Sequence, residues 1–280
     1  MLNHNEVKKL VQAALQEDIG SGDITTKALI PANLRGCATI TLKEKALICG
    51  LPLLKYFFPK PFQCRSFYKE GSMVPSYSKV IRITGNYRKL LERERVFLNF
   101  LGHLSGIATL THQFVKACNN KKIHILETRK TTPGSRALEK YAVKAGGGTN
   151  HRFGLFDAIL IKENHLNATH NIQKAIFKAQ RKYPHIKIEV EVKNLKEVEE
   201  AISEGADILM LDNFDASGIR KALEWIQKNT PKKNRPLIEV SGGVSLKNIR
   251  KLAASGVDII SVGRLTHGAT SVDISMKFYE

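Results

Sequence analysis

Six short apolar runs punctuate the second half of this chain, at Ile123 to Leu126, Ala158 to Ile161, Ile186 to Val192, Ile208 to Leu211, Leu237 to Val240 and Ile259 to Val262. Helical patterns lie between most of them, at Ile172 to Tyr183, Leu195 to Glu204, Ile219 to Gln227 and Leu246 to Ala254. Such alternation is a β/α repeat, because parallel strands need a crossover between them and a helix supplies it. An open doubly wound sheet and a barrel both satisfy it. The strand ends discriminate: Thr128-Arg129-Lys130, Lys162-Glu163-Asn164, Glu191-Val192-Lys193, Asp212-Asn213, Ser241-Gly242-Gly243 and Val262-Gly263-Arg264 all carry functional-looking residues. A barrel brings these tips to one mouth, whereas an open sheet strings them along an edge. The tips favour a barrel, and six strands instead of eight make it an incomplete or open one.

The first part of the chain follows another pattern. Val7, Leu10, Val11, Ala14 and Leu15 recur at the spacing of one buried helix face, which stops at Gly20-Ser21-Gly22-Asp23. Apolar residues mostly alternate from Cys37 to Ile48, and Val80 to Thr84 is β-rich, so this region reads as a small mixed α+β domain. Arg88 to Lys116 favours helix, and Gly102 and Gly106 are expected to break it, which places the domain boundary there. The expected division is residues 1–110 for the first domain and 111–268 for the barrel, with 269–280 packing back on the first.

A chain of 280 residues, 42% hydrophobic, buries a full core, which excludes a disordered tail or a mini-protein. Cys37, Cys49, Cys64 and Cys118 show neither a CxxC pair nor a zinc spacing, and a reducing cytoplasm suits them best. The hexapeptide Met-Leu-Asn-His-Asn-Glu at the start lacks the layout of a secretory signal, and no window reaches about 18 unbroken apolar residues, so no membrane partner is expected. Lys and Arg number 44 against 26 Asp and Glu, a net charge of +18 that raises nucleic acid as a partner. The surplus is spread over both halves. Lys232, Lys233 and Arg235 lie in a Pro-flanked loop and read as solvated, and Tyr56-Phe57-Phe58 reads as core instead of a base-stacking platform. No specific nucleic-acid binding is expected.

Arg129, Lys130, Arg152 and Lys162, with His151 beside them, are a costly concentration of like charge unless an anion lies among them. Arginine forks suit carboxylates and phosphates, while lysines act as point charges, so the mixture points to both groups in one ligand set. Salt bridges to Glu127, Glu163 or Glu191 are the competing explanation for any single member. Glu191 and Asp212, at successive tips, suit Mg²⁺ or the hydroxyls of a ribose. Paired acids for glycoside hydrolysis are disfavoured by the surrounding cations. Ser241-Gly242-Gly243 and Val262-Gly263-Arg264 follow the last two strands, where barrels commonly bind phosphate. Gly146-Gly147-Gly148 is either another phosphate cradle or a helix cap with a turn.

Read in order, Glu127 to Gly134, Glu139 to Val143, Gly146 to Arg152 and Leu160 to His165 closely resemble quinolinate phosphoribosyltransferase. So do Glu17 to Thr25, Glu94-Arg95, Leu98-Asn99, His103 to Thr109, Leu211-Asp212-Asn213, Ser241-Gly242-Gly243 and Leu265-Thr266-His267, so the resemblance spans nearly the whole chain. It implies an α/β fold, with an N-terminal α/β sandwich domain beside an open α/β barrel, in a homodimer with a shared active site. The implied reaction joins quinolinate to phosphoribosyl pyrophosphate (PRPP), with Mg²⁺, and yields nicotinate mononucleotide, pyrophosphate and CO₂. Carried over position by position, quinolinate binding falls to Arg129, His151, Arg152 and Lys162, with Arg95 from the neighbouring subunit. PRPP binding falls to Lys130, Glu191, Asp212, Ser241, Gly242, Gly243, Gly263 and His267, and the strand-end residues Thr128, Val262 and Arg264 complete the expected set. Lys130, Lys162, Glu191 and Asp212 are the expected catalytic group, and Glu191 and Asp212 the metal-holding pair, directly or through water. A paralogue acting on another aromatic acid, such as nicotinate, is the nearer rival; a nucleic-acid-binding protein is the rival from another class.

Overall fold

The computed structural model describes residues 3–279; Met1 and Leu2 of the N-terminal hexapeptide and Glu280 of the returning C-terminal segment lie outside the described residues. Two compact units emerge. One runs to His112 and takes in Thr131–Gly147 and the chain from Arg264; the other comprises Gln113–Lys130 and Gly148–Gly263.

In the first unit, helix α1 (His4–Ile19) starts where Asn3 Oδ1 accepts from the Asn5 and Glu6 amides, and it buries Val7 and Val11 as its periodicity predicts. Asp23 caps α2 (Ile24–Leu29) through the Thr26 amide. The main sheet is antiparallel and contains β1 (Arg35–Leu42), β3 (Gln63–Ser66), β5 (Lys79–Asn86) and β12 (Ile274–Tyr279), in the order β12-β1-β5-β3. The C-terminal strand thus returns to pair with β1, from Cys37 opposite Tyr279 to Leu42 opposite Ile274. Ala38, Ile40 and Leu42 of β1 and Ile81 and Ile83 of β5 are fully buried, as are Phe57 and Phe97 nearby in the same core. A two-stranded pair, β2 (Ala46–Leu47) with β4 (Met73–Val74), and helices α3 (Leu54–Phe57), α5 (Arg136–Ala145) and α11 (Arg264–His267) complete it.

Helix α4 (Tyr87–Cys118) corrects one expectation: it runs unbroken through Gly102 and Gly106, and through the end of the unit at His112. Those glycines admit a neighbouring strand of chain. A Cβ on Gly106 would stand 2.1 Å from the Thr270 carbonyl oxygen, one on Gly102 would stand 2.9 Å from that of Val272, and the Val272 amide donates to the Gly102 carbonyl at 3.1 Å. Glycine to alanine ordinarily stabilises a helix interior. Here Gly106→Ala should destabilise instead, by about 1–3 kcal/mol, because backbone must move to admit the methyl group. Urea unfolding of the variant reads the sign directly.

The second unit is a parallel sheet of β6 (His124–Leu126), β7 (Ile159–Ile161), β8 (Ile188–Val192), β9 (Ile208–Asp212), β10 (Leu237–Ser241) and β11 (Ile259–Ser261). Its order, β6-β11-β10-β9-β8-β7, decides between the two architectures. From β7 to β11 each strand lies beside the next, with no reversal of order, and the first strand, β6, joins the last, as in a barrel. Pairing of β6 with β7 would close it; the two remain the edges, so the barrel is open. Helices α6 (Glu163–Thr169), α7 (Ile172–Lys182), α8 (Leu195–Ser203), α9 (Ala216–Asn229) and α10 (Ile249–Ala253) connect the strands. Ile172, Ala175 and Ile176, then Val198 and Ala201, then Ile219, Ala222 and Ile226 form their buried stripes. Asn194 and Asp215 cap α8 and α9 with their side chains, fixing the turns after β8 and β9 locally, and Asn171 caps α7 in the same way after α6.

Candidate active site

Strand alternation sets the site. In Ile188-Glu189-Val190-Glu191-Val192 the valines and the isoleucine face one way and both glutamates the other. Glu191 lies beside Met210, which pairs with Glu239, and Ser241 pairs with Asp212, so Glu189, Glu191, Asp212, Glu239 and Ser241 share one face of the sheet. Glu191, Asp212 and Ser241 stand at its C-terminal rim and are partly exposed, while Glu189 and Glu239 are buried further in.

Lys162 and Lys130 follow strand ends at that rim. Lys162, just past β7, donates to Glu191 Oε2 at 2.8 Å. Thr128 Oγ1 accepts the Lys130 amide at 3.2 Å, which shapes the turn after β6 and leaves Lys130 on an exposed loop. In the first unit, the fully buried Glu139 grips the Thr132 amide with both oxygens, at 3.3 and 3.2 Å, and meets His103 Nε2 at 2.9 Å. Arg152 donates to the Ala158 carbonyl at 3.1 Å. Burial, and then the positive charge of Arg129, lower its pKa, with Glu189 and Asp157 working the other way. Arg129 Nε is buried with no hydrogen-bond partner among the described residues. Two guanidiniums close enough to feel each other's charge, one of them with an unused donor, are suited to meeting an anionic group.

Asp212 is held above the ordinary carboxylate range by burial and by the charge of Glu191, against the pull of Lys162, of the Asn213 amide at 2.9 Å and of Lys193. Two hard oxygen donors that repel each other suit a divalent cation such as Mg²⁺, so the donor set fits that ion. Lys193 pairs with Glu163. At the next tip, Ser241-Gly242-Gly243 turns with positive φ at both glycines. A Cβ on Gly242 would meet Asn213 Oδ1 at 2.1 Å, and the Asn213 amide donates to the Ser241 carbonyl at 3.0 Å, so the turn sits directly against the Asp212-Asn213 tip. That close approach demands glycine. Gly263 follows β11, but Val262 is core: its side chain is buried and its amide donates to the Leu126 carbonyl at 2.8 Å. Gly146 caps α5 and Gly147 turns with positive φ, so the triple glycine is a cap with a turn. Arg95, Arg264 and His267 belong to the first unit, where all three are exposed.

Sequence reasoning missed the acids beneath the rim. His151 Nε2 lies 3.3 Å from Glu189 Oε2 and 3.6 Å from Glu239 Oε1, and the His151 amide donates to the fully buried Glu127 at 3.2 Å. The available signal was an acid inside an apolar strand, in Ile-Glu-Val-Glu-Val and Leu-Ile-Glu-Val-Ser. Burial, and then the charge of Glu189, push the Glu239 carboxyl up to about 7, against His151, Ser261 and Lys162. The folded protein therefore keeps a proton that the unfolded chain gives up near its ordinary value of 4.5. Stability conferred by this site is present at low pH and falls as pH rises towards 7. Relative to the parent, Glu239→Gln should gain urea resistance between pH 4.5 and 8; a difference constant across that range would contradict the shift.

Comparison with known proteins follows the same geometry. Residues 107–277 match the family model "Quinolinate phosphoribosyl transferase, C-terminal domain", and residues 23–105 match that of the N-terminal domain. The chain is 43% identical over 273 residues to a Methanocaldococcus jannaschii protein named "Probable nicotinate-nucleotide pyrophosphorylase [carboxylating]", covering 96% of this chain and 95% of that one. A Bacillus subtilis protein of the same name is 40% identical, covering 98% and 94%. The crystal structure of NadC from Streptococcus pyogenes superimposes with a TM-score of 0.92 at 38% identity, over 100% of this chain and 98% of that one. With both domains matched in order and full-length relatives at this identity, the chain belongs to the quinolinate phosphoribosyltransferase family.

Proposed function

We propose that this chain transfers the phosphoribosyl group of PRPP to quinolinate, giving nicotinate mononucleotide, pyrophosphate and CO₂ in de novo NAD synthesis. The observation that carries this reading is that Arg129 and Arg152 feel each other's charge within the same open barrel as Lys162 and the Glu191 and Asp212 carboxylates. The pyridine nitrogen is the nucleophile, so no activated Ser, Cys or Lys is needed. What the reaction needs is alignment of that nitrogen with the ribose C1′. Arg129, Arg152 and Lys162 grip the two carboxylates, and Arg95 of a second copy completes the grip. Lys130 neutralises charge on the departing pyrophosphate, while Ser241, Gly242, Gly243 and Gly263 offer close backbone approach to phosphate. Glu191 and Asp212 stabilise the positive charge that develops on the ribose. These two would also hold Mg²⁺, which when bound supplies further neutralisation of the pyrophosphate.

After transfer, the bond between the ring and the carboxylate next to nitrogen breaks. Its electron pair stays on the ring carbon, stabilised by the adjacent pyridinium, and that carbon then takes up a proton. We place the enzyme in the cytoplasm as a homodimer; no helix among the described residues is long and apolar enough to cross a membrane. Offered quinolinate and nicotinate separately, with PRPP and Mg²⁺, the protein should release pyrophosphate with quinolinate. Release with nicotinate alone would assign it to the other substrate class.

A further inference from the structure

The His151 ring is committed on both sides. Its side chain is 9% exposed, Nδ1 accepts the Arg152 backbone amide at 2.8 Å, and Nε2 faces Glu189 and Glu239. A ring nitrogen that accepts an N–H carries no proton, so in the neutral imidazole the proton is on Nε2, directed at the two buried carboxylates. Glu189 accepts from Nε2 at 3.4 Å, and Glu239 Oε1, 3.6 Å from the ring and without a hydrogen-bond partner among the described residues, faces the same proton electrostatically. The same three residues could be read as a metal cluster, since their ligand atoms lie within 4.8 Å of one another. The Arg152 amide argues against it. A metal on Nε2 of the neutral ring would leave the proton on Nδ1, facing another N–H.

We propose that Glu189 and Glu239 are positioning residues: they hold His151 as the Nε2–H tautomer, and its Nδ1 in turn fixes the backbone at Arg152 and so the aim of that guanidinium. Arg152 is then fixed at two points, by the ring at its amide and by the Ala158 carbonyl at its side chain. The consequence for substrate binding rests on the quinolinate reading above, whereas the tautomer does not.

The test has two arms. In protein labelled with ¹⁵N-histidine, with the His151 signals identified by their loss in His151→Gln, we expect a protonated Nε2 and an unprotonated Nδ1 without any ligand. The Nε2–H proton should move upfield in Glu189→Gln, as a charged acceptor becomes a neutral one. A protonated Nδ1, or a proton shared between both nitrogens, would overturn the proposal. In the kinetic arm, run at pH 8, above the point at which Glu239 gives up its proton, Glu189→Gln and Glu239→Gln should each raise the KM for quinolinate about tenfold, with the KM for PRPP changed less than about twofold. Glu239→Asp should recover part of the loss. Equal rises in both KM values would reduce the pair to a general structural role and defeat the proposal. If quinolinate proves not to be a substrate, the functional reading fails while the labelled-histidine arm still decides the tautomer.

Discussion

Lys130→Ala should lower kcat/KM for phosphoribosyl transfer by about 10²–10³-fold, the loss typical when one group that neutralises transition-state charge is removed. Lys130 stands on the turn after β6, shaped by the Thr128 hydroxyl on one side and followed by the Thr132 amide in the grip of Glu139. A lysine presented on a fixed turn loses little entropy on meeting pyrophosphate, and its charge matters most as the leaving group departs. Lys233→Ala is the control, since it removes the same charge from an exposed turn far along the chain. Steady-state rates for the two variants should differ by nearly the whole effect of Lys130→Ala. Equal losses would mean that net charge, and not the position of this lysine, supports the reaction.

The second large effect concerns the subunit that Arg95 serves. Arg95 lies exposed on α4, whereas Lys162 lies at a barrel tip paired with Glu191. If Arg95 completes the site of a neighbouring copy, Arg95→Ala and Lys162→Ala should each be nearly inactive alone. Mixed and reassembled in equal amounts, half the dimers pair one variant with the other, and each of these holds one intact site. Activity should return to about a quarter of the parent's by that statistics. Mixed dimers that form, verified by differently tagged subunits, yet remain inactive would place both residues in one subunit's site.

How much of this was legible beforehand differs by element. The six barrel strands stand out because each is a short apolar run between amphipathic helices, and buried parallel strands leave such runs. Their polar ends pointed to a barrel mouth, and strand order bears out an open barrel. Gly102 and Gly106 misled because a glycine in a helical pattern reads locally as a break. Their role depends on Thr270 and Val272, which no window around the helix contains. Likewise, Glu189 and Glu239 looked like ordinary strand positions. Only the shared register of β8, β9 and β10 brings them to the face occupied by His151. The hydrogen bond from the Arg152 amide to the ring beside it was also beyond reach, since spacing along a chain says nothing of tautomers.

The charge surplus met in the sequence divides in the same way. Arg129 and Arg152 feel each other's charge within the barrel, Lys162 pairs with Glu191 at a strand tip, and Lys130 stands on the loop after β6. On the proposed function, these cations would bind two anionic substrates and help draw them in.

The most direct measurement follows both products of one turnover. Purified protein is given PRPP, Mg²⁺ and quinolinate carrying ¹⁴C in the carboxylate next to the ring nitrogen, and pyrophosphate and labelled CO₂ are counted together. Equal amounts, appearing at the same rate and only when PRPP is present, are the predicted result. Pyrophosphate without labelled CO₂, or neither product, would contradict the account.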